Sequence, residues 1–139
     1  MEGIRLTLRV DFGPDRAIGP GKVLLLEAIR DTGSISQAGR SLGMSYRRAW
    51  LLVDDMNRCF REPVVTAQPG GSQGGGAVLT PFGLKLIRKY RTIETQATAA
   101  AKPQLHDLQA SLRAIARGAR KSRKTTIRAS TARAGTASR

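Results

Sequence analysis

The chain has 139 residues, with 24 Lys and Arg against 10 Asp and Glu for a formal net charge of +14, and is 40% apolar. That length fits one domain with some appended sequence, and a composition with six aromatic residues allows one modest, mostly aliphatic core. A single cysteine, Cys59, and a single histidine, His106, exclude an intrachain disulfide framework and a zinc site of Cys and His ligands, and no apolar run approaches the ~20 residues of a membrane span.

Residues 4–11, "IRLTLRVD", alternate strictly, with Ile4, Leu6, Leu8 and Val10 on one side and Arg5, Thr7, Arg9 and Asp11 on the other. The period of two predicts a half-buried strand, and the interspersed charges fit neither a signal peptide nor a span. "GPDRAIGPG" at 13–21 is Gly/Pro-rich and reads as a connection. From Lys22, "KVLLLEAIRDTG" is built of helix formers and stops at Gly33.

Ser34 is an N-cap, and Gln37 three residues later completes a capping box. Ile35, Ala38 and Leu42 make a short one-sided helix that Gly43 breaks. Ser45 is a second N-cap, and "YRRAWLLVDDMNRCF" continues as a helix of about four turns. On it Ala49, Val53, Met56 and Phe60 form one apolar stripe, with Trp50 beside it as an expected anchor to the core. Cys59 is expected as a buried thiol and His106 on a helix surface. Arg47, Arg48 and the pair Asp54–Asp55 lie off the stripe, and adjacent carboxylates ~100° apart on a helix are a surface feature rather than a catalytic dyad. Two helices about a tight turn are the helix-turn-helix pattern, whose second helix presents its N-terminal residues to the major groove.

Pro63 ends that helical region. "VVTAQ" (64–68) and "AVLT" (77–80) read as strands around the flexible "PGGSQGGG" (69–76), the wing of a winged helix. The pattern GxxxxGK[ST] is absent, so the glycine tip is not a P-loop, and its bare backbone N–H groups suit approach to a DNA phosphate. Thr80 caps a further helix with Pro81 at its first position and a stripe of Leu86, Tyr90, Ile93 and Ala97. Pro103 is expected to interrupt it before Leu105, Leu108, Leu112 and Ile115 resume as far as Gly118. These apolar positions exceed what one small core covers, which predicts a homodimer interface; a monomer with the helix folded back is the alternative. Residues 102–139 hold 10 basic and one acidic side chain, net +9, against +5 for residues 1–101. The low apolar content from Ala119 onward predicts a disordered basic arm for a polyanion.

The sequence therefore divides into a winged helix-turn-helix domain at 1–101, a helical extension at 102–118 and a basic tail at 119–139. The expected fold class is mainly α with a small β wing (α+β), with an N-terminal strand and a long C-terminal dimerisation helix. Candidate DNA contacts are Ser34, Ser36, Gln37, Ser45, Tyr46, Arg47 and Arg48 of the two helices, Ser72, Gln73 and Gly74 of the wing, and Lys121, Arg123 and Lys124 of the tail. The Arg47 and Arg48 guanidinium forks suit guanine O6/N7 or a phosphate, while Ser45 and Tyr46 suit phosphates.

The stretches "GSISQAGRSLGMSYRRAW" and "GGSQGGGAVLTPFGLKLIRKY" together resemble the N-terminal DNA-binding domain of the ModE-type molybdate-dependent transcription regulators, over roughly residues 5–95. That domain in turn resembles the winged helix of the LysR-type regulators. The resemblance implies a winged-helix homodimer on a palindromic operator, and it supports Ser45, Tyr46, Arg47 and Arg48 as recognition-helix contacts and Gly70–Gly76 as the wing. It does not carry over molybdate: residues 102–139 lack the alternating strands of the family's ligand-binding β-barrels. The expected partners are double-stranded DNA and a second copy of the chain, in a bacterial, nucleoid-associated cytoplasmic setting. No membrane, metal, cofactor or small-molecule site is expected. An architectural protein that coats DNA without sequence choice is the second reading, favoured by the tail. An enzyme is disfavoured, because no nucleophile–base pair, metal cluster or phosphate loop is present.

Overall fold

A computed structural model describes residues 3–68 and 76–115. The chain divides into two units, residues 1–106 and 107–139.

The first helix, α1 (Pro20–Thr32), places proline in its opening turn, where the missing N–H has no helical partner to lose. It ends at Gly33, whose left-handed backbone (φ 73°) lets its N–H reach the Ile29 carbonyl at 2.8 Å. The short α2 (Ile35–Ser41) and the longer α3 (Tyr46–Cys59) follow. Between them Gly43 takes φ 73°, and the Met44 N–H returns to the Gly39 carbonyl at 2.9 Å, which closes the tight turn. At Gly39 the two helices come so close that a Cβ there would stand 2.9 Å from the Ala49 Cβ.

Strands β3 (Val65–Gln68) and β4 (Gly76–Leu79) pair antiparallel from Val65↔Leu79 to Gln68↔Gly76. The Ala77 N–H also bonds the Gly33 carbonyl at 3.0 Å, so the hairpin is stitched to the α1–α2 corner. The last helix, α4 (Pro81–Ala110), is capped by the Thr80 hydroxyl, which accepts from the Gly83 N–H at 2.9 Å. The core gathers Val23, Leu25, Leu26 and Ile29 of α1, Ala38, the Ala49–Val53–Met56 stripe, Val64, Val65, Ala77, Leu79, and Leu86, Ile87 and Tyr90 of α4. The result is a mixed α+β fold with a winged-helix layout.

Five local expectations are corrected. The alternation at 4–10 is real, with the apolar members half-buried and the others exposed, but only Val10–Asp11 (β1) enters a ladder. Its partner, β2 (Ala17–Ile18), lies in the stretch read as a connection. A strand needs a neighbour to satisfy its backbone, and among the described residues none runs beside 4–9. Pro103 does not interrupt α4: Ala99–Ala101 before it are the strongest helix formers, and the freed carbonyl of residue 99 is on an exposed face where water can serve it. The helix ends at Ala110 rather than Gly118, because Leu108, Leu112 and Ile115 are exposed and gain no packing to extend it. Ser34 makes only the forward half of a capping box: its hydroxyl accepts from the Gln37 N–H at 3.0 Å, while its own N–H is taken by the Thr32 hydroxyl at 3.2 Å. The Cys59 thiol is half-buried rather than buried.

Candidate nucleic-acid interface

The site begins with the capped start of α3. The Ser45 hydroxyl accepts from the Arg48 N–H at 3.1 Å, which satisfies one of the orphan donors of the first turn. Ala49, Val53 and Met56 bind the opposite face of the helix into the core. The first-turn side chains Tyr46, Arg47 and Arg48 are left exposed in solvent. Neither Arg47 nor Arg48 makes an ion pair among the described residues, so both guanidinium forks are available. The carboxylates further along α3 are matched internally: Asp54 pairs with Arg58 at 3.1 Å, and Asp55 with Lys22 of α1 at 2.7 Å.

Two concavities flank this surface. A cleft of about 470 Å³ on the outward face of α3 collects Ser45, Arg47, Arg48 and Leu51, with both carboxylates and Arg58. A groove of about 390 Å³ between α2, α3 and the hairpin holds Ser34, Ser36, Tyr46 and Trp50 against Thr66, Ala67 and Ala77. Of the candidate contacts, Ser34 and Ser36 are half-buried, and the Ser36 hydroxyl accepts from Arg40 at 3.2 Å. Gln37 is exposed and lines neither concavity. Ser72, Gln73, Gly74, Lys121, Arg123 and Lys124 lie outside the described residues.

Trp50 corrects an expectation. It is 45% exposed and faces the hairpin groove instead of anchoring α3 in the core. Four residues after Tyr46, it stands on the same flank, about 100° from the buried stripe, too far round to join it.

No family model matches the chain. Among curated proteins, the molybdenum-pterin-binding protein MopB of Rhodobacter capsulatus is 57% identical over 77 residues, 55% of this chain and 28% of its own length. The transcriptional regulator ModE of Yersinia pestis is 41% identical over 101 residues, 70% of this chain and 38% of its own length. The DNA-binding transcriptional dual regulator ModE of Escherichia coli K12 is 42% identical over 71 residues, 51% of this chain and 27% of its own length.

The chain matches a ModE-type N-terminal fragment. It spans about a third of the length of the curated relatives it matches.

Several residues that shape this surface carry little signal in the sequence. Asn57 ties α3 to the hairpin: its Oδ1 accepts from the Val64 N–H at 2.7 Å and its Nδ2 donates to the Val65 carbonyl at 3.2 Å. Lys22 anchors Asp55 while donating to the Ala17 carbonyl at 3.0 Å. Leu51 sits in the arginine cleft, 45% exposed. A helical wheel of α3 would have found Leu51, because it stands opposite the buried stripe. Asn57 has no sequence signal, since its partners are backbone groups on a segment that only the fold brings near.

Away from the exposed face of α3, α4 is locked to α1. Arg91 of α4 donates to both Glu27 carboxylate oxygens, at 2.8 and 3.0 Å, and to Glu94 at 2.7 Å. Those carboxylates hold the Arg91 guanidinium more firmly protonated than an ordinary arginine. The buried Tyr90 hydroxyl donates to the Leu8 carbonyl at 2.6 Å, which pins the extended N-terminal segment to α4. Burial, and then the Glu94 carboxylate, push the Tyr90 hydroxyl above its ordinary pKa.

Proposed function

We propose that this chain is a sequence-specific DNA-binding transcriptional regulator that holds a palindromic operator as a homodimer. The observation that carries the reading is the exposed, capped first turn of α3, where Arg47 and Arg48 make no ion pair among the described residues while the carboxylates behind them are neutralised. In this reading α3 enters the major groove, where one or both arginines engage base edges bidentately and Ser45 and Tyr46 fix register on phosphates. The hairpin and the connecting residues Ser72, Gln73 and Gly74 meet the DNA backbone, and Ser34, Ser36 and Gln37 complete the contact from α2. Lys121, Arg123 and Lys124 in the tail add attraction that does not depend on sequence. A two-fold dimer places two α3 helices in grooves ~34 Å apart. The relatives named as transcriptional regulators support this role and a non-enzymatic one, and the setting it implies is the nucleoid of a bacterial cytoplasm.

Selection of bound duplexes from a random library tests the proposal. A regulator of this kind returns a palindromic sequence and prefers it over random DNA by ~10³-fold or more in competition. Sedimentation of the complex should give two chains per duplex. If no sequence is enriched, the architectural reading takes its place, which the net charge of +9 over residues 102–139 favours.

A further inference from the structure

The outward face of α3 carries an apolar side chain where a purely electrostatic DNA surface would carry none. Ala49, Val53 and Met56 define the buried side of the helix. At 100° per residue, the direction opposite them is occupied by Arg47, Leu51 and Arg58. Leu51 is 45% exposed, follows Arg47 by one helical turn and shares its cleft. Next to Leu52 in that cleft, it is flanked by charged groups: Arg47 and Arg48 before it, and the Asp54–Arg58 and Asp55–Lys22 pairs beyond. Those pairs cancel the charge of the flanking carboxylates, so Leu51 lies between a locally neutral stretch and two arginines that make no ion pair among the described residues.

We infer that Leu51 is a specificity-determining residue that reads the C5-methyl group of a thymine. The inference rests on the proposed DNA-binding role and adds a base preference to it. If Arg47 engages a base edge, a side chain four residues on is displaced by about 6 Å along the helix, or one to two base-pair steps. At that distance the major groove offers an aliphatic side chain one apolar partner, the thymine methyl, and every other base edge there is polar. Placing Leu51 against a cytosine or a purine edge would desolvate polar groups with no hydrogen bond in return. The preference is therefore both positive for thymine and negative for the alternatives.

The test uses the duplex returned by random-library selection, resynthesised with deoxyuridine replacing thymidine one position at a time. Uracil keeps the Watson–Crick pair and removes only the methyl group. For the unmodified chain, one position per half-site should lose about fourfold in affinity, the value of burying one methyl-sized group. Leu51→Ala should bind the thymidine and deoxyuridine duplexes equally at that position while keeping its helical content, since alanine is the stronger helix former. The inference is overturned if the thymidine-to-deoxyuridine ratio is the same for Leu51→Ala and the parent at every position. If the selection returns no sequence, the DNA-reading role itself fails and this inference with it, an outcome distinct from an unchanged ratio on a well-defined site.

Discussion

Replacing Gly39 by alanine probes the joint between α2 and α3. The added Cβ would stand 2.9 Å from the Ala49 Cβ, which is fully buried and has no rotamer by which to yield. Carbon atoms prefer ~3.5–4.0 Å, so α2 and α3 must part by roughly 0.6–1 Å. Overpacking of this kind costs about 1–3 kcal/mol, and the gain in helix propensity on replacing glycine returns about 0.5–1 kcal/mol. The net expectation is a loss of ~1–2 kcal/mol, or roughly 5–15 °C in Tm for a domain of this size. Urea denaturation of the parent, Gly39→Ala, Ala49→Gly and the double variant checks it, with DNA affinity measured in parallel. The double variant should recover at least ~1 kcal/mol relative to the sum of the single changes, because it removes the clashing methyl. If Gly39→Ala instead stabilises the protein by its full propensity gain and leaves DNA affinity unchanged, the two helices do not meet as closely as described and the argument fails.

Arg47→Ala should lose about 1–3 kcal/mol of discrimination at one base pair, read by competition among single-base operator variants; uniform weakening on all sequences would make it a phosphate contact. Deletion of residues 119–139 should flatten the dependence of log K on log salt, since fewer counterions are released, and an unchanged slope would place the tail off the DNA. Tyr90→Phe should cost about 1–2 kcal/mol at neutral pH by leaving the Leu8 carbonyl unpaired. Because the folded state raises the Tyr90 pKa, that contribution is intact below the ordinary tyrosine value of ~10 and is lost as pH rises through and above it, so Tyr90→Phe should also make alkaline unfolding shallower. Lys22→Met leaves Asp55 unpaired beside the arginine cleft; it should weaken binding to all duplexes alike, most of all at low salt where the Debye length is long, and unchanged low-salt affinity would refute the neutralising role.

Much of this was legible in the sequence, because the signals were local. Ser34, Ser45 and Thr80 mark the starts of three helices through bonds that span only three residues. The stripe of Ala49, Val53 and Met56 falls at helical spacing and is buried as that spacing requires. What the sequence did not show depends on partners distant along the chain. The alternation at 4–10 gave the right faces but could not reveal that, among the described residues, no strand lies beside residues 4–9. Trp50 was misplaced because size and hydrophobicity suggest burial, whereas its angle on α3 decides its exposure. Pro103 stays inside α4 although the proline rule presumes that the freed carbonyl is costly, because on an exposed face it is not. Within the site, Arg47 and Arg48 stood out by charge, while Leu51 was overlooked because exposed leucines are common and acquire meaning only from their neighbours.

The geometry also bears on how a fold with so small a core would serve the proposed discrimination between bases. Discrimination requires that side chains hold position to within a fraction of an ångström, because a bidentate contact tolerates little drift. The core holds α3 through its buried stripe, and backbone junctions add direction: Asn57 clamps α3 to Val64 and Val65, while Gly33 accepts from Ala77 and ties the helix-turn-helix corner to the hairpin, and the Thr80 hydroxyl donates to the Pro63 carbonyl at 2.7 Å where the hairpin meets α4. Gly76 and Gly83 are small for the same reason, since a Cβ at either would run into the Gly33 or Val64 carbonyl. Each junction joins two elements through polar groups of fixed direction, where an apolar contact would permit sliding. A turn bearing two arginines can then be exposed without being loose, with its side chains in solvent, its first turn capped by Ser45 and its far end clamped through Asn57.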